Sequence, residues 1–193
     1  MSRIEIHTSE MSAWYTLVEK ARQSSTITLN DELQSYLVFL LMRFMKEPTI
    51  LSDALALEYL ENIHKNQSQN LKTLRDVGDK CLLLTGLFPE RAKRRRVEIS
   101  YYVKLGQAAY STISEQDKTV LSQLYATIGQ QFVGLMDVLH AMRTLDNNHF
   151  SLDLFQAEEL FSTHQSHHAF KILQKTTQGF FIPRNDLDPT IKH

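Results

Sequence analysis

Two acid–histidine pairs stand at the spacing that metal-binding helices use. Glu61 and His64 are separated by two residues, and so are Asp137 and His140. Residues three apart share one face of a helix, so a carboxylate and an imidazole can reach the same ion. Di-iron and di-manganese bundles are built from such Glu-x-x-His turns. This chemistry would make the chain a metal-dependent oxidoreductase of the di-iron-bundle type.

The predicted helix faces argue against that site. The apolar seam of a long helix predicted from Glu115 to Leu145 contains Leu121, Leu124, Ile128, Phe132, Leu135, Leu139 and Met142. At about 100° per residue, Asp137 falls opposite this seam and His140 falls well to one side. Glu61 lies opposite the apolar side of its own helix, with His64 on a flank. Ligands in such bundles project inward, so we expect Asp137 to face water and expect no bound metal or other cofactor.

Three further histidines, His164, His167 and His168, form a cluster near the end of the chain. In a continuous helix, His164 and His168 would lie one turn apart and could hold a single divalent ion. No third ligand is fixed nearby by the sequence. We therefore expect a solvated junction between helices.

The densest charged feature is a basic cluster of Arg91, Lys93, Arg94, Arg95 and Arg96. Planar guanidinium groups could grip a phosphate or a carboxylate. The cluster lacks the interleaved aromatic side chains of single-strand binders, and the whole chain balances 21 basic against 22 acidic residues. This balance argues against dedicated nucleic-acid binding. Two interpretations of the cluster stay open, a solvated or acid-paired structural face and a site for an anion or a protein partner.

Glu98 is the one acid that helical geometry places near an apolar face, the face of Tyr102, Leu105, Ala109 and Ile113. We expect it to be partly buried and paired with Arg94 or Arg95, because a buried carboxylate needs a partner. A second interpretation makes Glu98 a tuned acid or base at the mouth of a tyrosine-lined cleft.

Nucleotide and nucleophile motifs are missing. The glycines of Gly78-Asp79 and Thr85-Gly86 lack the spacing of a phosphate loop, and no Gly-x-Ser-x-Gly or His-Glu-x-x-His motif is present. Cys81 lies in an apolar run, which predicts a buried and unreactive thiol. These residues do not decide whether the chain is an enzyme.

The elements that would position these residues are helices. The 193 residues include only six glycines and four prolines, and apolar side chains recur at three- and four-residue spacing. We predict an all-α, single-domain bundle of about seven to nine helices over residues 1–179, centred on helices starting at Asn30 and Glu115, with an irregular tail over 180–193.

Residues 1–10 lack the apolar core of a secretory signal, and the longest apolar run is too short to span a membrane. We therefore expect a cytoplasmic protein that does not insert into membranes.

The segment from Gly78 to Tyr110 resembles a group of uncharacterised, mostly proteobacterial helical proteins. The resemblance rests on GDKCLLL at 78–84, GLFPE at 86–90, RRRVE at 94–98, and YY, LG and AY between 101 and 110, about a quarter of the chain. It implies a bacterial origin and an α-helical fold. It carries no activity, cofactor or partner.

Together these observations favour a non-enzymatic binding or interaction module that holds a protein or an anionic ligand. It would use the basic hairpin, the segment from Gly78 to Tyr110 that carries the basic cluster. The metal-dependent oxidoreductase and a pocket for a small anionic ligand remain as alternatives. The apolar surplus on the core helices could also supply a homodimer face.

Overall fold

The computed structural model describes residues 2–47, 67–94, 96–117, 119–145 and 152–176, with side chains from residue 10 in the first range and from 71 in the second. Every regular element in these residues is a helix, which confirms the all-α prediction. Glu61, His64, Arg95 and the tail over 180–193 lie outside the described residues. The described helices are α1 (Ser2–Ser25), α2 (Asp31–Lys46), α3 (Gln67–Leu87), α4 (Pro89–Arg94), α5 (Ile99–Gln116), α6 (Leu121–Gln130), α7 (Phe132–Thr144), α8 (Leu154–His164) and α9 (His167–Thr176).

Helix α2 begins where the sequence predicts. The Asn30 side chain accepts the backbone N–H of Leu33 at 2.9 Å and caps the helix. Acidic residues fill the first turn and basic residues the last, an arrangement that complements the helix dipole. The cap and the charges explain why this helix boundary was predictable.

The centre of the bundle is α3, which packs mainly against α5 and α7. Residues 77–86 are all buried, so this stretch is covered on every side. Glycines let the neighbouring helices come close, since a Cβ atom at Gly78 would lie 2.7 Å from the Tyr110 ring and one at Gly86 2.6 Å from Leu139. Cys81 is buried here as predicted. The expectation that the Asn30 and Glu115 helices form the centre is therefore wrong.

The prediction of one long helix from Glu115 to Leu145 is also wrong, because this range is divided among the end of α5, all of α6 and α7. Helix α5 extends to Gln116, α6 begins at Leu121, and Gln131 separates α6 from α7. Helix α7 packs against both α1 and α3. Residues 135–141 are consequently buried without interruption, so α7 has no solvent-facing side along that stretch.

Candidate functional site

Asp79 is the most deeply embedded acid of the central helix, with 1% of its surface exposed. The hydroxyl groups of Tyr36 from α2 and Tyr110 from α5 both donate to its Oδ1 atom, at 2.5 and 2.8 Å. The other oxygen, Oδ2, lies 3.2 Å from Arg43 Nη1 and 3.5 Å from Arg75 Nε. Asp79 therefore joins three helices through one carboxyl group.

The chemistry of this network is that of a closed structural cluster. Burial raises the pKa of Asp79, while the two hydroxyls and the two guanidiniums act in the opposite direction. Burial also raises the pKa values of Tyr36 and Tyr110 well above their usual range, so both remain protonated donors. Both carboxylate oxygens have partners from the neighbouring helices, so Asp79 serves to hold these helices together. Sequence reasoning missed this network, whose only signal was the Gly78-Asp79 pair.

The prediction that Asp137 faces water is wrong, because only 1% of its surface is exposed. The Ser166 hydroxyl donates to its Oδ1 at 2.6 Å, and the backbone N–H groups of His167 and His168 donate to its Oδ2 at 2.8 and 3.2 Å. A carboxylate at this place satisfies N–H groups that a helix leaves without partners and meets the positive end of the helix dipole. Asp137 thus caps α9 from α7.

His140 is also buried, in contrast to the predicted position on a flank. Its ring stacks on that of His168, with the centroids 5.1 Å apart and the planes 16° from parallel. Burial lowers the pKa of His140 well below its usual range. Burial, reinforced by Lys171 and Lys175, lowers the pKa of His168 to about 4. Both imidazoles are therefore neutral at pH 7.

The described residues do not assemble the proposed metal centre. They contain no group of three or more histidine, cysteine, aspartate or glutamate side chains that could hold an ion. Asp137 and His140 share α7, but both oxygens of Asp137 accept hydrogen bonds from the start of α9. Glu61 and His64 lie outside the described residues, so their part of the prediction stays untested.

The three histidines lie at a junction between two helices, as expected. Helix α8 ends at His164, and Gln165 takes a left-handed conformation with φ of 55°. His164 and His168 consequently lie in different helices and are not one turn apart. His167 instead places Nε2 3.1 Å from the Thr26 hydroxyl, which links α9 to the end of α1.

A cavity of about 560 Å³ opens beside His168 and is lined by Lys171 and Lys175. It lies where α1, α7 and α9 all end, because Ser25, Thr144 and Thr176 line it too. The Lys171 ammonium lies 3.4 and 3.5 Å from the carbonyl oxygens of Ser24 and Ser25. Cations at helix C-termini offset the negative ends of the dipoles. The position of Lys171 and Lys175 at these helix ends gives both lysines a structural role.

The basic cluster divides into engaged and free side chains. The Arg91 guanidinium lies 4.9 Å from the centre of the Phe88 ring, and Lys93 forms a 2.8 Å ion pair with Asp153. Arg94 and Arg96 are exposed, and no ion pair in the described part of the chain involves them. Arg96 follows α4 in a left-handed conformation with φ of 56°.

Glu98 is exposed, so the prediction that it is partly buried is wrong. It precedes the first turn of α5 as the residue at the N-cap position, and its side chain makes no capping hydrogen bond. The prediction assumed that the helix already included residue 98. Because Glu98 lies outside the helix, the angular argument does not apply to it.

The start of α8 lies beside the basic cluster. Gln156 donates to the Pro89 carbonyl at 2.8 Å, and Lys93 pairs with Asp153, the residue that caps α8. Leu154 and Phe155 are exposed in this first turn, and Phe155 keeps 85% of its surface in solvent. We call Arg94, Arg96, Leu154 and Phe155 the basic–apolar face.

A second surface feature is a groove of about 570 Å³ between α2 and the start of α6. Tyr36 and Leu124 line it, Asp31 and Glu32 add negative charge, and Phe39 and Val120 expose 56% and 93% of their surfaces. We call this feature the acidic groove; its lining residues are Asp31, Glu32, Ser35, Tyr36, Phe39, Val120, Leu121, Gln123 and Leu124.

No family model, curated protein or solved structure matches the chain. The resemblance to the proteobacterial group therefore stays a prediction. Among the described helices, none is both long and apolar enough to cross a membrane.

Proposed function

We propose that the chain is a non-enzymatic protein-interaction module whose basic–apolar face binds an acidic partner. The observation that carries the proposal is Phe155, which is 85% exposed in the helix turn next to the basic cluster. Covering an exposed phenylalanine contributes about 1.5–3 kcal/mol. Aromatic and arginine side chains are also the residues that dominate binding energy at protein interfaces.

The charge of the partner follows from the two free arginines. Arg91 is engaged with Phe88 of the same segment, and Lys93 pairs with Asp153 at the start of α8. Arg94 and Arg96 remain available, and a guanidinium forms paired hydrogen bonds with a carboxylate. An acidic surface with an apolar recess satisfies both the arginines and Phe155.

The described acids support an interaction role over the metal-dependent alternative. Asp79 and Asp137, the two most buried carboxylates, each bind hydroxyl or N–H donors that hold helices together. Their oxygens are thus used within the fold. The exposed basic–apolar face has no comparable use within the described part of the chain.

The test is cross-linking in the native cells from a photoreactive amino acid placed at Leu154. We expect a defined partner band with the wild-type face and its loss in Arg94→Glu/Arg96→Glu and in Phe155→Ser. The matched control is Lys20→Glu/Lys72→Glu, which makes the same change in charge at two other exposed helix positions. Identical bands in all four proteins, with unchanged circular dichroism, would remove the proposal.

A further inference from the structure

The acidic groove is a preformed recess. Tyr36 lines it from α2, and the hydroxyl of Tyr36 is anchored to buried Asp79 at 2.5 Å. Phe39, Val120 and Leu121 are large apolar side chains that the described part of the chain leaves exposed at its walls. Exposed apolar side chains grouped around a groove mark an interaction site.

The groove and the basic–apolar face are complementary in two independent ways. The face presents a protruding phenylalanine and two arginines, whereas the groove presents an apolar recess and two acids, Asp31 and Glu32. The net charge of −1 leaves little overall repulsion between copies of the chain. Opposite local charges on near-neutral molecules favour docking in one orientation.

We propose that the basic–apolar face of one copy docks into the acidic groove of a second copy. Phe155 enters the recess beside Phe39 and Val120, and Arg94 and Arg96 pair with Asp31 and Glu32. This inference rests on the proposed function and names the partner of the same face. The partner is a second copy of this chain.

The contact joins two different surfaces. Each dimer formed by one such contact still carries one free face and one free groove. Association of this kind continues into a ring or a chain unless both contacts close within one symmetric pair. The size of the assemblies should therefore rise with protein concentration.

The experiment is sedimentation velocity on the purified full chain over a concentration range of about a hundredfold. We expect reversible association that weakens at least tenfold in a face variant, Arg94→Glu/Arg96→Glu, and in a groove variant, Asp31→Arg/Glu32→Arg, since close charge pairs carry such energies. Lys20→Glu/Lys72→Glu is the control and should associate like the wild type.

Mixing the two variants gives the decisive measurement. The intact face of the groove variant matches the intact groove of the face variant, and the reversed face and reversed groove also carry opposite charges. The mixture should therefore recover the association that each variant has lost when it is alone. A chain carrying all four substitutions restores opposite charges and should recover association. Circular dichroism of each variant separates a lost contact from a lost fold.

A wild-type chain that stays monomeric at every concentration would overturn the inference, and so would a mixture of variants that fails to associate. The proposed function is judged separately by the cross-links from Leu154. If those cross-links identify a different protein and still require Arg94 and Arg96, the interaction function stands and the second copy is excluded as the partner.

Discussion

Asp79 and Asp137 are equally buried carboxylates that the fold satisfies in different ways. Asp79 on α3 is held by side chains from α2, α3 and α5, whereas Asp137 on α7 is held by one hydroxyl and two backbone N–H groups at the start of α9. The first network joins helices across the core, and the second caps one helix. We expect loss of Asp79 to act on the whole fold and loss of Asp137 to act locally.

Asp79→Ala should have the largest effect, lowering the free energy of unfolding by about 3–5 kcal/mol. Removing this carboxyl takes the acceptor from the hydroxyls of Tyr36 and Tyr110 and the buried partner from Arg43 and Arg75. Chemical denaturation followed by circular dichroism measures the loss. Asp76→Ala is the control, because Asp76 is partly exposed and pairs with Arg43, and it should cost about 1 kcal/mol or less. Equal losses of stability in Asp79→Ala and Asp76→Ala would contradict the larger role assigned to the buried Asp79.

Asp137→Ala should lower the free energy of unfolding by about 2–3 kcal/mol, the effect of losing a helix cap and a buried acceptor. Hydrogen exchange should accelerate in α9 first and leave α3 protected. Asp137→Asn keeps one side-chain oxygen as an acceptor and should lose less. Faster exchange spread evenly through both helices would show that the cap is not local.

Acid should weaken the Asp137 region because of the neighbouring histidines. The pKa of His168 is lowered to about 4 in the folded protein from an ordinary value of 6.5, so the unfolded chain binds its proton first. The stability present above pH 6.5 is then lost as the pH falls towards 4, by about 1–2 kcal/mol between pH 7 and 5. Burial raises the pKa of Asp137, which opposes this trend by adding stability at low pH.

Unfolding midpoints measured from pH 7 to pH 5 test this balance. His168→Gln removes the titrating ring and should flatten the dependence, whereas His167→Gln, at an exposed position, should retain it. A wild-type midpoint that does not change over this range would contradict the role assigned to His168.

The smallest effects should come from the two tyrosines that donate to Asp79. Tyr36→Phe and Tyr110→Phe each remove one hydroxyl and should cost about 0.5–1.5 kcal/mol, the usual net value of a hydrogen bond. Each remaining tyrosine still donates to Asp79. Urea denaturation of both variants measures these losses in the free energy of unfolding. Losses near that of Asp79→Ala would show that the hydroxyls contribute more to the network than the arginines do.

Local sequence signals predicted the local features of the fold. The start of α2 at the Asn30 cap and the buried Cys81 both follow from neighbouring residues. The helical class followed from apolar spacing and scarce glycine and proline. These features depend on interactions within a few residues of the chain.

Contacts between helices determine the features that could not be predicted from the sequence. The angular argument at Asp137 required one solvent-facing side, but α7 lies between α1 and α3. The break at Gln131 also removed the long helix on which that argument depended. The prediction for Glu98 was wrong because α5 begins at Ile99, one residue later than that prediction assumed. The Asp79 network joins residues up to 74 positions apart, a distance over which spacing carries no information.

The central position of α3 also has a consequence during synthesis. Its apolar residues, including the Leu82–Leu84 run, are covered mainly by α5 and α7, and α7 ends at Thr144. At about 5–20 residues per second, the ribosome needs roughly 3–11 s to extend the chain from Leu87 to Thr144. Throughout that interval α3 lacks part of its cover, so a truncated or stalled chain presents an apolar helix to chaperones and proteases.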